Sequence, residues 1–439
     1  MNYDLIIIGS GPAGYVAAIR AGQTGLKTLV IDKKYIGGMC LNWGCIPTKS
    51  LIESAKLYYK IKNAADFGIN GIKSDELSFD WKKAVQRTES VVKRLSRGIE
   101  FLWKKNGVEF LSAEAKIVSP TQVEAGNQIF ETKHIMIATG SRPAHIDEIP
   151  EALDLESLLA MESLPNKPLL WGGGAITLEL AQFFKMIGLE PVIVSSSEQL
   201  VPGLDQYLES YVTKRLKKDK IQVIKRDELT IKDGKIIMGD KALDNDLVIN
   251  TSLRRAVLPG IWEMPRLDKG YIKVDEYLRT SHPTIYAAGD VNGLSYLAHS
   301  ASAQGLAVID HIHGKAEPIE LLNSPVNIYS NPEIAQIGIT EAIAKEQGLD
   351  YAIGEYSLAA NGKALTEGSS EGFLRLIYEK KYRQVLGVQI VAENATDMIS
   401  EAGILMELEG TVYDLAKTIH AHPTVSEIFM ELGAQESMN

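Results

Sequence analysis

The pattern of apolar and polar positions in the first 32 residues predicts a strand, a helix and a second strand. Residues 3–8 are a short apolar run, residues 15–22 carry apolar positions at helical spacing, and residues 28–31 are apolar again. Asp32 follows the second strand. A glycine-rich turn joins the first strand to the helix, with the sequence Gly9-Ser10-Gly11-Pro12-Ala13-Gly14. This order of features is typical of a βαβ unit that binds a dinucleotide.

Each glycine of this turn has its own physical task in such a unit. Gly9 permits a tight turn, Gly11 lets the backbone approach a pyrophosphate, and Gly14 allows the helix to pack on the strand. Asp32 stands at about the distance from Gly14 that is expected of an acid holding a ribose hydroxyl. A chance glycine turn is the alternative, but the strand, the helix and the acid are all in place.

A second unit of the same kind is predicted from residue 169 onward, with strands at 169–171 and 192–194 and glycine at each of residues 172–174. Thr177 stands where the third glycine is expected, and the second strand runs into Ser195 instead of an acid. The pattern therefore predicts a second nucleotide site, on weaker grounds than the first.

The rest of the chain alternates strands with helices and predicts an α/β protein with two Rossmann-like units and an α+β C-terminal region. No further internal repeat is found. The Pro-containing residues 149–168 are interpreted as a linker. Strands are predicted at 108–111, 135–137, 247–249, 284–288, 372–378 and 385–391, and helices at 79–106, 395–409 and 412–418.

Composition and charge narrow the function further. The chain has 439 residues, with 46 Lys and Arg against 56 Asp and Glu, so no basic excess favours nucleic acid as a partner. No apolar run is long enough to span a membrane and the N-terminus lacks a basic leader, so we expect a cytoplasmic protein without a membrane anchor. No metal site is predicted, because Cys40 and Cys45 are the only cysteines.

These two cysteines follow the first βαβ unit directly. Pro47 marks the start of a helix predicted over 48–59, and a helix N-terminus lowers the pKa of a nearby thiol. A short loop also brings two cysteines within disulfide range. A redox-active pair is therefore predicted, with two inert structural thiols as the alternative.

A histidine segment near the C-terminus supplies a candidate base. His422 precedes Pro423 and stands five residues before Glu427, which could orient the imidazole. A lone histidine is more often a satisfied structural residue, and that alternative stays open.

Several motifs together resemble the pyridine-nucleotide disulfide oxidoreductases, and within them the dihydrolipoamide dehydrogenases. The resemblance covers essentially the whole chain. Residues 37–49 resemble the active disulfide segment of that family, and residues 420–427 resemble its C-terminal histidine segment. Shorter matches lie at 138–140, 289–290, 297–299, 331–333 and 387–391.

The resemblance implies FAD on the first βαβ unit and NAD on the second. Asp32 would hold the adenosine ribose, Asp290 the ribityl and pyrophosphate region, and Lys49 would lie near the flavin N5. Glu179 matches the acid that pairs with Lys49. The residues expected to contact a cofactor are Gly9, Gly11, Pro12, Ala13, Gly14, Asp32, Lys33, Gly38, Met39, Cys40, Cys45, Lys49, Ala115, Ala138, Thr139, Gly140, Gly172, Gly174, Glu179, Ser195, Asp290, Leu297 and Ala298.

The resemblance also implies an activity and partners. Dihydrolipoamide would be oxidised to lipoamide, with His422 and Glu427 as base and orienting acid, Cys40 facing substrate and Cys45 facing the flavin. The protein would be a homodimer serving a lipoyl-bearing protein of a 2-oxoacid dehydrogenase or glycine-cleavage type complex. The implied domains are FAD-binding at 1–150 and 257–325, NAD-binding at 151–256 and dimerisation at 326–439.

Four departures from the family pattern cluster in the second unit, at Ala175, Thr177, Ser195 and Leu253 before Arg254. They leave two alternatives open: a related FAD disulfide reductase, or a lipoyl-complex subunit, whose electron acceptor is not NAD. No Arg or Lys replaces the missing acid, so NADP is not favoured. The absence of these basic residues also disfavours a glutathione reductase, because they would be needed to bind NADP.

Overall fold

The protein is described from a computed structural model. The structure describes residues 2–232, 234–252, 254–263, 267–315 and 317–438. The chain forms two compact units. Unit 1 comprises residues 1–54, 78–164 and 252–321, and unit 2 comprises residues 55–77, 165–251 and 322–439.

The strands are numbered in chain order. They are β1 Asn2–Ile8, β2 Thr28–Asp32, β3 Glu109–Ser112, β4 Ala115–Ser119, β5 Gln122–Ala125, β6 Gln128–Ile137, β7 Ser141–Pro143, β8 Pro168–Gly172, β9 Val192–Ser195, β10 Gln222–Lys225, β11 Leu229–Lys232, β12 Lys235–Met238, β13 Lys241–Ala242, β14 Leu247–Thr251, β15 Arg254–Ala256, β16 Gly260–Ile261, β17 Leu267–Asp268, β18 Tyr271–Ile272, β19 Ile285–Ala287, β20 Val326–Ile328, β21 Glu333–Gly338, β22 Tyr351–Ser357, β23 Phe373–Glu379 and β24 Val385–Ala392.

The helices are numbered in the same way. They are α1 Pro12–Gln23, α2 Gly38–Asn42, α3 Cys45–Lys62, α4 Trp81–Lys105, α5 Leu155–Leu159, α6 Ala175–Met186, α7 Gln206–Lys218, α8 Ala298–Ile312, α9 Glu341–Glu346, α10 Gly362–Thr366, α11 Ala395–Glu407, α12 Val412–Lys417 and α13 Glu427–Ser437. Short 3₁₀ turns lie at Ala64–Phe67, Arg226–Glu228, Asp290–Asn292 and Leu358–Ala360.

Unit 1 is built on an eight-stranded mixed sheet in the order β16-β4-β5-β6-β1-β2-β3, with β19 also paired to β6. The central strand β1 is parallel to both β2 and β6. Its residues 5–8 are buried on both faces, as a continuous apolar run in a parallel sheet should be. The small residues Ala17, Ala18 and Ala21 let α1 approach this core closely.

Unit 2 contains two main sheets. The first is four-stranded and parallel, in the order β10-β9-β8-β14, and carries the second glycine turn between β8 and α6. The second is five-stranded and antiparallel, in the order β20-β21-β24-β23-β22, with α11 packed against β21 and β24. The parallel order of β8 and β9 and the antiparallel C-terminal sheet agree with the fold class predicted from the sequence.

Most predicted elements are present, with bounds that differ by a few residues. The cysteine helix is longer than predicted and begins at Cys45 itself. The elements that were not predicted from the sequence include α7, α8, α13, the strands β10–β13 and β20–β22, the hairpin of β4 and β5, and the short helix α5 inside the predicted linker. The predicted domain boundaries stay predictions.

Candidate active site

The first glycine turn has the geometry that a bound dinucleotide needs. A Cβ on Gly9 would lie 2.2 Å from the Ala138 carbonyl oxygen, and a Cβ on Gly14 would lie 2.0 Å from the Gly9 carbonyl oxygen. A Cβ on Gly11 would meet no atom within 4 Å. The two outer glycines are therefore required by backbone packing, while the middle one borders open space. This cradle fits the pyrophosphate of FAD at the N-terminus of α1.

Asp32 is held in place at the end of β2. Its Oδ2 accepts hydrogen bonds from the Ser10 backbone N–H and hydroxyl, both at 2.8 Å, and its Oδ1 accepts one from the Lys34 N–H at 3.1 Å. Three donors fix the orientation of this carboxylate and leave lone-pair capacity on it. The oriented Asp32 carboxylate therefore fits the role of an acceptor for a ribose hydroxyl beside the glycine turn.

The cysteine segment, residues 37–49, folds as the short helix α2 followed by the start of α3. Gly37 has a φ of 91°, which favours glycine, and a Cβ there would lie 2.2 Å from Leu41 Cδ2. Cys40 lies within α2 and Cys45 is the first residue of α3. Both are reduced thiols of intermediate exposure, and their side chains are hydrogen-bonded to each other. The predicted juxtaposition of the two sulfurs is present.

The expected lowering of the thiol pKa is wrong for Cys40. Its pKa is raised, because its thiol is hydrogen-bonded to Cys45, because it is buried, and because it would ionise beside the charge of Cys45. The charge of Lys49, one turn further along α3, opposes this rise. The reduced pair therefore holds one proton tightly on Cys40, which the local helix argument overlooked.

Asp290 is surrounded by groups that the sequence analysis did not assign to the site. Its Oδ2 accepts a hydrogen bond of 2.5 Å from the Ser141 hydroxyl and lies 3.5 Å from Arg254 Nε. The only sequence signal that Ser141 belongs to the site is its position directly after Gly140, a predicted cofactor residue. Arg254 was noted only as part of a departure from the family pattern.

The remaining predicted flavin-site residues of unit 1 lie at strand ends or helix starts. Ala138 follows β6 and donates its N–H to the Ile8 carbonyl at 2.8 Å, and the Thr139 hydroxyl donates to the Val257 carbonyl at 2.5 Å. Leu297 caps α8 and Ala298 begins it. Away from these, Lys33 pairs at the surface with Glu114, and Ala115 begins β4.

The imidazole of His422 is oriented through Nδ1, and the rest of the ring is exposed. Its Nδ1 lies 2.9 Å from Glu427 Oε1, and the other carboxylate oxygen accepts the Thr424 N–H at 2.8 Å. These bonds lower the pKa of Glu427, the Thr424 amide most and His422 next. The His422 side chain is 80% exposed and that of Glu427 14%. The neighbouring His420 is buried against Glu401, with 2.5 Å between Nε2 and Oε1, so only His422 presents its ring.

The second glycine turn, in unit 2, fits a dinucleotide only in part. A Cβ on Gly174 would meet no atom within 4 Å, so this turn also borders open space. The Gly174 N–H, however, donates to the Leu200 carbonyl at 2.6 Å. Thr177 is fully buried and its hydroxyl donates to the Thr251 hydroxyl at 2.8 Å. One backbone amide of this turn is therefore already engaged by the Leu200 carbonyl.

The ribose end of this second turn lacks a carboxylate. Ser195 is 5% exposed, and its hydroxyl accepts the Ser197 N–H at 3.2 Å. Glu179 is buried and its Oε1 accepts the Tyr329 N–H at 3.2 Å, so its predicted pairing with Lys49 stays a prediction. Leu253, another predicted departure, lies outside the described residues.

Comparison with known families accounts for nearly the whole chain. Residues 3–305 match the profile of the family pyridine nucleotide-disulphide oxidoreductase, and residues 324–432 match the dimerisation domain of the same family. The chain belongs to this family. Membership in the pyridine nucleotide-disulphide oxidoreductases confirms the predicted α/β fold, the oxidoreductase class and the use of FAD with a nicotinamide nucleotide.

Relatives of the chain extend over its full length. It is 37% identical to a dihydrolipoyl dehydrogenase of Bacillus subtilis over 98% of this chain and 95% of that protein. It is 35% identical to the dihydrolipoyl dehydrogenase of Mycoplasma pneumoniae, over 98% of both chains. The mitochondrial dihydrolipoyl dehydrogenase of Pisum sativum is 34% identical over 98% of this chain and 90% of its own length.

Solved structures agree on the fold. LpdA from Mycobacterium tuberculosis matches with a TM-score of 0.90 at 22% identity, and each chain is covered to 99%. The flavoprotein disulfide reductase RclA from Escherichia coli matches with a TM-score of 0.86, also at 22% identity and 99% coverage of both chains. Among the described residues, no helix has the length and apolar character to cross a membrane.

Proposed function

We propose that this protein oxidises dihydrolipoamide to lipoamide through a redox disulfide formed by Cys40 and Cys45, with FAD as the bound cofactor and NAD as the electron acceptor. The observation that carries the proposal is the pairing of an exposed His422 with an anchored Glu427, in a chain that also holds two hydrogen-bonded thiols. The identity to dihydrolipoyl dehydrogenases over 98% of the chain supports the choice of substrate.

His422 supplies the first step as a general base. Glu427 accepts a hydrogen bond from Nδ1–H of His422, which leaves Nε2 as the acceptor for a substrate thiol proton. The Glu427 carboxylate is itself held by the Thr424 amide and stays ionised, because its pKa is lowered. The carboxylate thus stabilises the imidazolium that forms when His422 takes the proton.

Thiol–disulfide exchange supplies the next steps. With the pair oxidised, the substrate thiolate attacks Cys40 Sγ, the Cys40–Cys45 bond breaks and Cys45 leaves as a thiolate. The second substrate thiol then attacks the substrate sulfur of the mixed disulfide, closes the lipoamide ring and releases Cys40, which takes a proton. Two electrons and two protons leave the substrate, and the raised pKa of Cys40 suits its return to the protonated state.

Residues of unit 1 would hold the FAD that reoxidises this pair. Gly11 would face the pyrophosphate, Asp32 the adenosine ribose and Asp290 the ribityl chain, while Lys49 stands one helical turn beyond Cys45. When bound, FAD supplies a two-electron acceptor for the thiolate and a donor to the final acceptor.

A second candidate differs only in that final acceptor. Ser195 offers no carboxylate to a ribose diol, and the Gly174 amide is engaged by Leu200. These observations favour a related FAD disulfide reductase, or a lipoyl-complex subunit, that passes electrons to something other than NAD. The intact His422–Glu427 pair favours an enzyme over a purely binding subunit.

We further propose that two copies form a homodimer through residues 326–439, and that His422 of one copy serves the cysteine pair of the other. The match to a dimerisation domain over 324–432 supports this. The proposed macromolecular substrate is a lipoyl-bearing protein of a 2-oxoacid dehydrogenase or glycine-cleavage type complex, and the proposed location is the cytosol.

The deciding experiment is a spectrophotometric assay of the flavin-loaded protein with dihydrolipoamide and NAD, NADP or an artificial dye. Turnover with NAD supports the first candidate, and turnover with the dye alone supports the second. No flavin reduction by dihydrolipoamide contradicts both.

Two variants test the assigned roles. Cys40→Ser should abolish dithiol turnover while FAD stays bound, because only the attacked sulfur is lost. His422→Gln should slow dithiol oxidation by about 100-fold or more, because the general base is removed. A small effect of His422→Gln would exclude it as the base.

A further inference from the structure

A small arginine-bearing ribbon faces the cysteine segment within unit 1. Strands β7 and β15 pair antiparallel, with Arg255 opposite Arg142 and Arg254 opposite Pro143. We call β7 and β15 together the arginine ribbon. Arg142 places its guanidinium carbon 5.2 Å from the ring centre of Trp43, one of the four residues between the two cysteines. The ribbon thus already contacts the segment through one cation.

Arg254 reaches the same segment from the buried side of the ribbon. Its Nη2 lies 2.6 Å from Met39 Sδ, and Met39 directly precedes Cys40. The Met39 side chain in turn lies where a Cβ on Gly44 would meet its Cε at 3.3 Å. The guanidinium therefore ends against the loop that carries both cysteines.

The position of Arg254 is fixed by several bonds. Nε donates to the Ser141 hydroxyl at 2.7 Å, Nη2 donates to the Ser141 carbonyl at 2.6 Å, and the Tyr271 hydroxyl donates to the Arg254 carbonyl at 2.6 Å. The side chain is only 13% exposed. A cation held this rigidly out of water acts on nearby charges with little screening by solvent.

The charge of Arg254 is only partly matched by a carboxylate. Asp290 Oδ2 lies 3.5 Å from Nε and also accepts the Ser141 hydroxyl, so it is shared. The pKa of Arg254 is lowered by burial, while Asp290 and Cys45 both act to raise it. By reciprocity the guanidinium favours the ionised form of Cys45, and an arginine stays charged under all ordinary conditions. Lys49 of α3 and Tyr15 of α1 also face the cysteine pair, and both are unchanged in the comparison that tests Arg254.

We propose that Arg254 is a positioning residue for the redox pair, whose buried charge favours the anionic form of Cys45 when the pair is reduced. This inference rests on the proposed redox role of the two cysteines. A thiolate is the better leaving group and the form that donates electrons, so Arg254 lowers the barrier to cleavage of the disulfide at Cys45. Cys40, whose thiol donates to Cys45, keeps the remaining proton.

The test compares Arg254→Met with Arg255→Met, a matched loss of charge at the exposed neighbour on the same strand. Each flavin-loaded protein is reduced, and the rate of iodoacetamide alkylation of the cysteine pair is followed against pH, with peptide mapping of the modified sulfur. We expect the midpoint of the profile to rise by about one pH unit in Arg254→Met, so that alkylation below the midpoint is about tenfold slower. Arg255→Met should leave the profile unchanged.

Arg254→Lys restores a cation and should return the midpoint most of the way, which a purely structural role would not predict. An unchanged profile in Arg254→Met, or an equal shift in Arg255→Met, would overturn the proposal. If Arg254→Met does not fold, Arg254→Lys and Arg254→Gln carry the test. The midpoint of the alkylation profile should then lie at a higher pH in Arg254→Gln than in Arg254→Lys. Equal midpoints in the two variants would overturn the inference. The alkylation comparison uses no lipoyl substrate. It can therefore be interpreted even if the protein does not oxidise dihydrolipoamide.

Discussion

The two glycine turns of this protein share a backbone plan and differ in what surrounds them. In the first, a side chain on Gly14 would put its Cβ 2.0 Å from the Gly9 carbonyl oxygen. In the second, the equivalent position is Thr177, which is fully buried and hydrogen-bonded to Thr251. The helix of the second unit therefore stands in a setting that accommodates a β-branched residue. A glycine is needed only where the strand and helix backbones come that close.

The acids at the strand ends differ in the same way. The Asp32 carboxylate is oriented by hydrogen bonds from Ser10 and Lys34. Ser195 occupies the corresponding place in the second unit, and its hydroxyl is engaged by the Ser197 amide. The first unit has both the glycine turn and the acid of the predicted dinucleotide pattern, and the second has the turn without the acid. The departures from a complete dinucleotide pattern therefore lie in the second unit.

The largest effect is expected for Gly14→Thr, which copies the second turn into the first. The added Cβ overlaps the backbone, so we expect a loss of about 3 kcal/mol or more in stability together with loss of bound FAD. Thermal unfolding and flavin absorbance measure both. Thr177→Gly is the matched exchange and should retain FAD. Normal flavin content in Gly14→Thr would show that the close packing is not required.

Asp32→Asn should come next. The amide places donors beside the Ser10 donors and removes the charge that would hold the ribose, so FAD should bind about 10- to 100-fold more weakly. Titration of the deflavinated protein with FAD gives the dissociation constant. Glu114→Gln, which removes an exposed partner of Lys33, serves as the control. Equal affinity in Asp32→Asn and the control would remove Asp32 from the site.

Ser195→Asp runs the comparison in the opposite direction by restoring an acid to the second unit. Asp is the smallest acid, and a small side chain is needed because the Gly173 backbone lies close to this position. A Cβ built on Gly173 would be 3.3 Å from Ser195 Oγ. If NADH binds at this turn, its affinity should rise about tenfold, since a charge-assisted hydrogen bond to the ribose is gained. Calorimetry gives the affinity. Ser195→Asn should give little change, and equal results for the two variants would argue against a ribose at this edge.

The smallest effect is expected for Thr177→Val, which keeps the shape and removes the hydroxyl. Thr251 then loses its buried donor, and the free energy of unfolding should fall by about 1 kcal/mol. Denaturant unfolding of the whole chain, followed by tryptophan fluorescence, to which Trp171 of unit 2 contributes, measures the change. Thr177→Ser, which retains the hydroxyl but loses a methyl group, separates hydrogen bonding from packing. A more stable Thr177→Val would show that the hydroxyl pair does not anchor α6.

The local motifs could be predicted because their chemistry depends on neighbours in sequence. The spacing of Gly9, Gly11 and Gly14 predicted a tight turn at the first glycine and close helix–strand packing at the third. Gly9 has a φ of 105°, and a Cβ on Gly14 would lie 2.0 Å from the Gly9 carbonyl oxygen, while the pyrophosphate contact of Gly11 stays a prediction. His422 and Glu427 are five residues apart, and the turn between them brings Nδ1 and Oε1 to 2.9 Å. Helix α13 was missed although Glu427 begins it, because the sequence analysis took residues 420–427 only as a histidine segment.

The surroundings of the cysteines could not be predicted in the same way. The nearby helix N-terminus predicted a lowered pKa for Cys40, but the hydrogen bond to Cys45 and the burial of the thiol raise that pKa. Arg254 stands more than 200 positions from Met39 in the chain, and no local pattern indicates that its guanidinium lies against that side chain. The pairing of β7 with β15 creates this contact.

The sequence by itself thus determined the class of fold, the family and the order of the chemical groups, since glycine turns, paired thiols and an acid-supported histidine are set by short-range spacing. Only the tertiary structure decided which of these groups carry charge and which carry protons. Burial, a shared carboxylate at Asp290 and a cation delivered from a distant strand at Arg254 act through space, and electrostatic interactions in a dry interior depend on distance and not on separation along the chain.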